Sequence, residues 1–176
     1  MLFADDLSAA SAATASSNDA AFTDLFRRHR DGVFRFAWVL CGSGHVAEEI
    51  TAEVFARVLP RWRLGGISDP LPYLRRAVLN EVRSRHRRRA HEQRAAAREI
   101  AAEQRVAEDV DRLELREPLL EALQRLPVRQ RAVVVLRFHD DMSEAEVARI
   151  VGSPVGTVKA QTSRGLRTLR TILEEE

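Results

Sequence analysis

Two groups of side chains in this chain of 176 residues have types and spacing suited to chemistry, and they point in different directions. Cys41 and His45 lie four apart, a spacing that brings two metal ligands onto one helical face, but no further ligands cluster near them in the sequence. A tetrahedral site needs four, or three and a water, so packing at a helix end is the better reading of the pair. His29, His86, His91 and His139 are scattered, and no glycine-rich phosphate loop follows an expected strand. The expectation is therefore no catalytic residue, no metal ligand and no cofactor.

The second group is cationic. Near the C-terminus Lys159, Gln161, Ser163 and Arg164 stand on one helical stretch with Arg167 and Arg170, and no acidic residue intervenes before Glu174. Such a helix holds phosphates while bringing short polar and cationic groups to base edges, which is the chemistry of duplex DNA reading. Further upstream, Trp62 sits between Arg61 and Arg63 and directly before a glycine-containing loop. An aromatic face beside phosphate-binding charge is the combination that holds unstacked single strands, although for a lone Trp core packing at a helix end is the favoured reading. The run Arg87, Arg88 and Arg89 has its own plain reading as a solvated helix end.

The elements that must carry these groups are all helical. Large apolar residues recur at helical spacing from Asp19 through Phe22, Leu25, Phe26, Val33, Phe34, Ala37, Trp38 and Leu40, with Gly42 and Gly44 expected to end that helix. A second helix is expected from His45 to Leu59, with Val46, Ile50, Val54, Phe55 and Val58 on one side and Glu48, Glu49 and Glu53 near the positive end of its dipole. Residues 60–72 hold three prolines and a glycine pair and read as a loop. After Pro72 a third helix is apolar on one side (Tyr73, Leu74, Ala77, Val78, Val82) and cationic on the other.

Later, Leu113, Leu115, Leu119, Leu120, Leu123 and Leu126 form another periodic block, broken at Pro127, and Val128–His139 form the next helix. Ser143 and Glu146 have capping-box spacing, Gly152 breaks that helix, and Ser153 with Pro154 is expected to start the last one as N-cap and first-turn proline. The last helix is expected to bury Val155, Val158, Leu166 and Leu169. Helix, tight turn and basic helix make a helix-turn-helix. The expected fold is all-α: two small helical domains joined by a linker, the C-terminal one with the helix-turn-helix. Residues 1–18, short of large apolar groups, are expected to be a disordered tail, although their Ala content permits a frayed helix. The first domain covers 19–89, the linker 90–112 and the second domain 113–173.

Charge supports this partition. A formal net charge of +2, from 28 basic and 26 acidic residues, conceals a segment at 71–98 with nine arginines against Glu81 and Glu92 alone. The single Cys41 excludes an internal disulfide and gives no sign of an oxidising compartment. No run of eighteen apolar residues and no signal-peptide pattern occurs, so a soluble cytoplasmic protein without membrane contact is expected.

Two segments together resemble the extracytoplasmic-function sigma factors of the sigma-70 family. AEEITAEVFARVLPRW (Ala47 to Trp62) followed by YLRRAVLNEVRSRHRRR (Tyr73 to Arg89) is similar to that family's region 2, and ALQRLPVRQRAVVVLRFHDDMSEAEVARIVGSPVGTVKAQTSRGLRTLR (Ala122 to Arg170) looks like its region 4. LP-x-x-QR and GTVK in that order and spacing carry most of the specificity. The resemblance implies a promoter-specific initiation factor that performs no chemistry of its own. It implies that core RNA polymerase is bound through Glu48, Glu49, Glu53 and Arg57, on the beta-prime clamp helices, with a second contact to the beta flap. Arg61, Trp62, Arg63, the loop Leu64 to Asp69, Arg76, Asn80, Arg83 and Arg87 would melt and read the minus-ten element, capturing an extruded base. Thr157, Lys159, Ala160, Gln161, Ser163, Arg164 and Arg167 would read the minus-thirty-five element as duplex. An anti-sigma protein is the further partner implied. Ala52 and the TVKAQ stretch with Ala160 and Gln161 depart from the usual family residues, so the promoter sequence is not transferable. A stand-alone dimeric helix-turn-helix regulator is the alternative, and it predicts a palindromic site.

Overall fold

The computed structural model describes the backbone over residues 3–96 and 117–174, and side chains over 18–92 and 118–174. Seven helices make up the described residues: α1 (Phe3–Cys41), α2 (Gly44–Arg63), α3 (Pro70–Ala96), α4 (Glu117–Arg125), α5 (Val128–Phe138), α6 (Glu144–Val151) and α7 (Val155–Glu174). The first three pack on one another, and α4 to α7 form a second group. Val33, Phe36, Leu40, Ile50, Val54, Val58, Leu74 and Val78 fill the first core, while Leu136, Val147, Ile150, Val158 and Leu169 are buried in the second group. Phe26 meets Phe55 edge to face at 4.7 Å, tying α1 to α2.

Several expected boundaries move. The backbone is already helical from Phe3, through the segment expected as a tail; its alanines favour the helical alternative, since Ala has the highest helix propensity. Gly42, with φ of +75°, ends α1 in the left-handed region, but Gly44 is the first residue of α2. Between them Ser43 caps α2 by accepting from the Val46 amide at 3.4 Å, so the reversal takes two residues. The expected loop at 60–72 shrinks to 64–69, because α2 runs through Pro60 to Arg63 and α3 starts at Pro70. A proline in the last turn forfeits only one helical hydrogen bond, and one at the first position forfeits none. Trp62 and its two arginines are therefore helical. The helix α3 continues past 89 to Ala96; the rest of the expected linker, with Leu113 and Leu115, lies outside the described residues.

The helix-turn-helix forms as its caps predict. Ser143 Oγ accepts from the Glu146 amide, and the Glu146 carboxylate accepts from the Ser143 amide at 2.8 Å. Those bonds hold the Glu146 carboxyl below its ordinary range. Gly152, with φ of +64°, closes α6, and α7 begins with the Pro154 carbonyl accepting from Thr157 and Val158, so Pro154 rather than Ser153 stands at the cap. Ser143→Ala should destabilise the C-terminal helices by about 1 kcal/mol, read as a lower urea midpoint, and Ser143→Asp should restore most of it. An unchanged midpoint in the alanine variant would show that the box contributes nothing.

Candidate nucleic-acid interface

On α3, Arg76, Asn80, Arg83 and Arg87 recur at steps of four, three and four, which places them in one stripe. Arg76, Asn80 and Arg87 are exposed and Arg83 is half-buried. Arg83 is less basic than an ordinary arginine because burial and then the charges of Arg129 and Arg87 oppose its cation. At the end of α2, the Arg61 guanidinium stands 5.9 Å from the Tyr73 ring centre, and Arg63 donates to Asp19 at 2.8 and 3.1 Å. Trp62 is half-buried against the core, so packing holds it in place while part of its ring remains accessible. Beyond it, Leu64 is 86 % exposed at the start of the loop that Gly65 turns.

The α2 carboxylates have a different role from the dipole partners expected of them. None lies in the first turn of α2. Instead Arg85 of α3 donates to Glu49 at 2.5 Å, to Glu53 at 2.8 Å and to Glu81 at 3.2 Å, while Arg57 bridges Glu53 at 3.3 Å and Glu81 at 2.6 Å. Burial would raise the Glu81 carboxyl, but the hydrogen bonds from Arg57 and Arg85 outweigh it and hold the group below its ordinary value. Glu49 is lowered chiefly by its bond from Arg85. The candidate polymerase contacts Glu49, Glu53 and Arg57 thus form one lattice across the α2–α3 seam, beside which Glu48 is exposed. An open cleft of about 400 Å³ lined by Glu53, Arg57, Asn80, Glu81, Ser84 and Arg88 joins this lattice to the arginine stripe.

On α7 the inner face is Val158, Gly165, Leu169 and Ile172. Val155 and Leu166, expected inside, are 39 % and 41 % exposed, so they lie at the edges of the buried face rather than within it. The outer face presents Ala160, Ser163, Arg164 and Arg167, with Thr157 and Gln161 half-buried at its edge. Lys159 Nζ is 3.5 Å from the Glu144 carboxylate of α6, and Arg164 Nε donates to the Ala160 carbonyl at 3.2 Å, so two of the cations are oriented before any ligand arrives.

No three His, Cys, Asp or Glu side chains converge on a metal-sized site among the described residues. Cys41 Sγ donates to the Ser43 carbonyl at 3.3 Å, and burial pushes its thiol up. None of the described helices is long and apolar enough to cross a membrane.

Residues that the sequence did not single out join the two helical groups. Arg131, Gln124, Arg75 and Asp140 make contacts between α1 or α3 and α4, α5 or the turn after α5. A charged residue inside an apolar helix, as Arg131 is among Ala132 to Leu136, was the one available sign.

Comparison with known proteins agrees with this geometry. The pattern described as Sigma-70 region 2 matches residues 25–92, and that described as Sigma-70, region 4 matches residues 116–169. The chain is 32 % identical over 156 residues to the RNA polymerase sigma-E factor of Streptomyces antibioticus, covering 87 % of this chain and 84 % of that one. It is 32 % identical over 160 residues to the RNA polymerase sigma factor CarQ of Myxococcus xanthus, covering 88 % and 90 %. It is 29 % identical over 168 residues to the ECF RNA polymerase sigma factor SigW of Bacillus subtilis, covering 88 % and 90 %. In fold it resembles the sigma factor RpoE of Bartonella quintana, solved with the anti-sigma factor NepR, at a TM-score of 0.72 and 21 % identity over 88 % of this chain and 97 % of that one. With both regions present in order and relatives aligned over most of their length, the chain belongs to the extracytoplasmic-function group of the sigma-70 family of RNA polymerase sigma factors.

Proposed function

We propose that this sigma factor directs initiation through binding alone, with the work divided between two surfaces and no catalytic group. The observation that carries the reading is the pair of separate cationic faces, the α3 stripe Arg76, Asn80, Arg83 and Arg87 and the outer face of α7, each on a helix whose opposite side is buried. The stripe, with Arg61, Trp62, Arg63 and the exposed Leu64 loop, opens and holds the minus-ten strand by phosphate contact and stacking. The outer face of α7, with Lys159, Ser163, Arg164 and Arg167, reads the minus-thirty-five duplex in the major groove.

Glu48 and the Glu49–Glu53–Arg57 lattice dock on the clamp helices of the polymerase, and the C-terminal helices meet the beta flap. Holding both halves on one polymerase raises their effective concentration for DNA, so weak individual contacts suffice. We assign the two domains to 19–89 and 113–173 and place the protein in the cytoplasm, where polymerase is. An anti-sigma protein is the regulator we expect, as for the relative solved with NepR.

Run-off transcription with core RNA polymerase on genomic fragments tests the reading. Discrete new start sites that require this protein are expected. Arg164→Ala should weaken promoter-dependent initiation about ten-fold or more, in line with 1–3 kcal/mol for a base-edge contact, without changing the unfolding midpoint. Absence of initiation by a folded protein that nonetheless dimerises on palindromic DNA would transfer the assignment to a stand-alone regulator.

A further inference from the structure

Each of the two arginines that flank Trp62 is held by a residue from another helix, and one of the holders, Asp19, has no part in the surfaces assigned above. The Arg61 guanidinium stands 5.9 Å from the ring centre of Tyr73 on α3. Arg63 is met by α1: its Nε and Nη2 both donate to Asp19 Oδ1, at 3.1 and 2.8 Å. The neighbouring Asn18 donates its side-chain amide to the Arg63 carbonyl at 3.5 Å. Two consecutive residues of α1 thus engage both the side chain and the backbone of one residue 44 and 45 positions away.

The end of α2 has a use for one of these contacts. The last carbonyls of a helix have no partner within it. The amides of Leu64 and Gly65 donate to the Trp62 carbonyl, and that of Gly66 donates to the Arg61 carbonyl. Asn18 serves the Arg63 carbonyl, with the sign that suits a helix C-terminus. Asp19 has the opposite sign, and a carboxylate beside the negative end of a helix opposes its dipole. The pair is also exposed, 52 % for Arg63 and 56 % for Asp19, so it contributes little to stability. Helix stability gives no reason for a carboxylate at this place; the arginine that it orients does.

A guanidinium can meet an oxyanion along two edges, the side edge of Nε and Nη2 or the end edge of Nη1 and Nη2. Asp19 takes the side edge. Nη1 makes no hydrogen bond among the described residues, which leaves the end edge for a second acceptor. An arginine that is not held loses rotamer freedom when it binds, whereas one already fixed has met that cost in folding. The opposing effect is repulsion between Asp19 and an incoming phosphate. With the guanidinium between the two anions and water around both, that repulsion is screened, while the two-point contact fixes the direction of every remaining donor. Orientation therefore outweighs repulsion.

Resting on the sigma-factor reading above, we propose that Asp19, supported by Asn18, is a positioning residue for the minus-ten strand: it aims the end edge of Arg63 at a phosphate of the strand that stacks on Trp62, and so sets how tightly that strand is held.

Holoenzyme assembled from core RNA polymerase and the full-length protein tests the proposal on a promoter recovered by run-off transcription. The template is a duplex whose minus-ten stretch is already mismatched, so that strand capture is read apart from melting. Asp19→Ala should weaken equilibrium binding of this template roughly five-fold, the equivalent of about 1 kcal/mol, with the urea midpoint of the free protein unchanged. Asp19→Glu should restore most of the affinity. Arg63→Lys, which keeps the charge and loses the fork, should bind about as weakly as Asp19→Ala. In an Arg63→Ala background, Asp19→Ala should have no further effect, because its action passes through Arg63. Tighter binding by Asp19→Ala would overturn the proposal and make the carboxylate a competitor of DNA. Unchanged binding by Asp19→Ala, wild-type affinity in Arg63→Lys, or an equal loss in the Arg63→Ala background would overturn it as well. If no promoter is recovered with the wild-type protein, the sigma-factor reading itself fails and the proposal falls with it.

Discussion

Replacing Gly165 by valine should unfold the C-terminal helices at a temperature roughly 10 °C or more below the wild type, because the substitution overfills the α5–α7 contact by about 2 kcal/mol. A Cβ at this position would stand 2.8 Å from Val134 Cγ2 and 3.7 Å from the Gln130 carbonyl oxygen, in a seam where α7 has no side chain of its own. Val134 is β-branched, helical and buried, so it has no free rotamer to retreat into. The recognition helix must instead move away from α5, carrying Ser163, Arg164 and Arg167 off their positions. Promoter-duplex binding should therefore fall further than the loss of folded protein accounts for. Gly156→Ala on the same helix is the internal control: nothing lies within 4 Å of its added carbon, so its stability should equal or exceed the wild type. Thermal unfolding followed by circular dichroism separates the two, and a Gly165→Val variant that melts with the wild type would refute the close approach.

Glu81→Ala should have the largest effect in the N-terminal half, on the order of 2–3 kcal/mol, below the range for a fully buried pair because Arg57 and Arg88 remain half-exposed to solvent. The Glu81 carboxylate is 5 % exposed and accepts from Arg57, Arg85 and Arg88, at 3.4 Å for the last. Its loss leaves three guanidiniums around a vacated site. The pH dependence has a definite sign. Folding lowers the Glu81 carboxyl below its ordinary value of 4.5, so its stabilisation is complete above that value and is lost as pH falls through the lower folded one. Glu49, also lowered, acts in the same direction. Urea midpoints of wild type and Glu81→Ala should differ near neutral pH and converge in acid. A difference that stays constant down to acid pH would show that Glu81 acts through packing rather than charge. Because Arg57 and Glu53 share this lattice, the variant should also weaken core polymerase binding.

Helix positions were legible wherever apolar spacing met a strong cap. The capping box at Ser143 and Glu146 and the break at Gly152 depend on contacts within a few residues, so local sequence specifies them. The reading face of α7 was visible for the same reason: a helix buried along Val158, Leu169 and Ile172 necessarily turns Ser163, Arg164 and Arg167 outward. Pro60 misled the boundary of α2 because a proline's cost depends on whether its turn is the last one, which spacing alone does not reveal. Leu166 and Val155 misled the burial pattern because a helix covered on one side by α5 and α6 has fewer inward positions than its apolar residues suggest.

By itself the sequence determined an all-helical chain, the turn between α6 and α7, the two cationic helices and the family to which their motifs belong, all of which follow from periodicity, caps and charge within single segments. Only the tertiary structure decided which charges meet. That Arg85 of α3 reaches Glu49 and Glu53 of α2, that Arg57 of α2 reaches Glu81 of α3, and that Arg131 and Arg75 fasten one half to the other, depends on partners between 24 and 92 residues apart. Pairing at that range follows from how helices cross and pack, and no spacing along the chain encodes which of 28 cations will find which of 26 carboxylates.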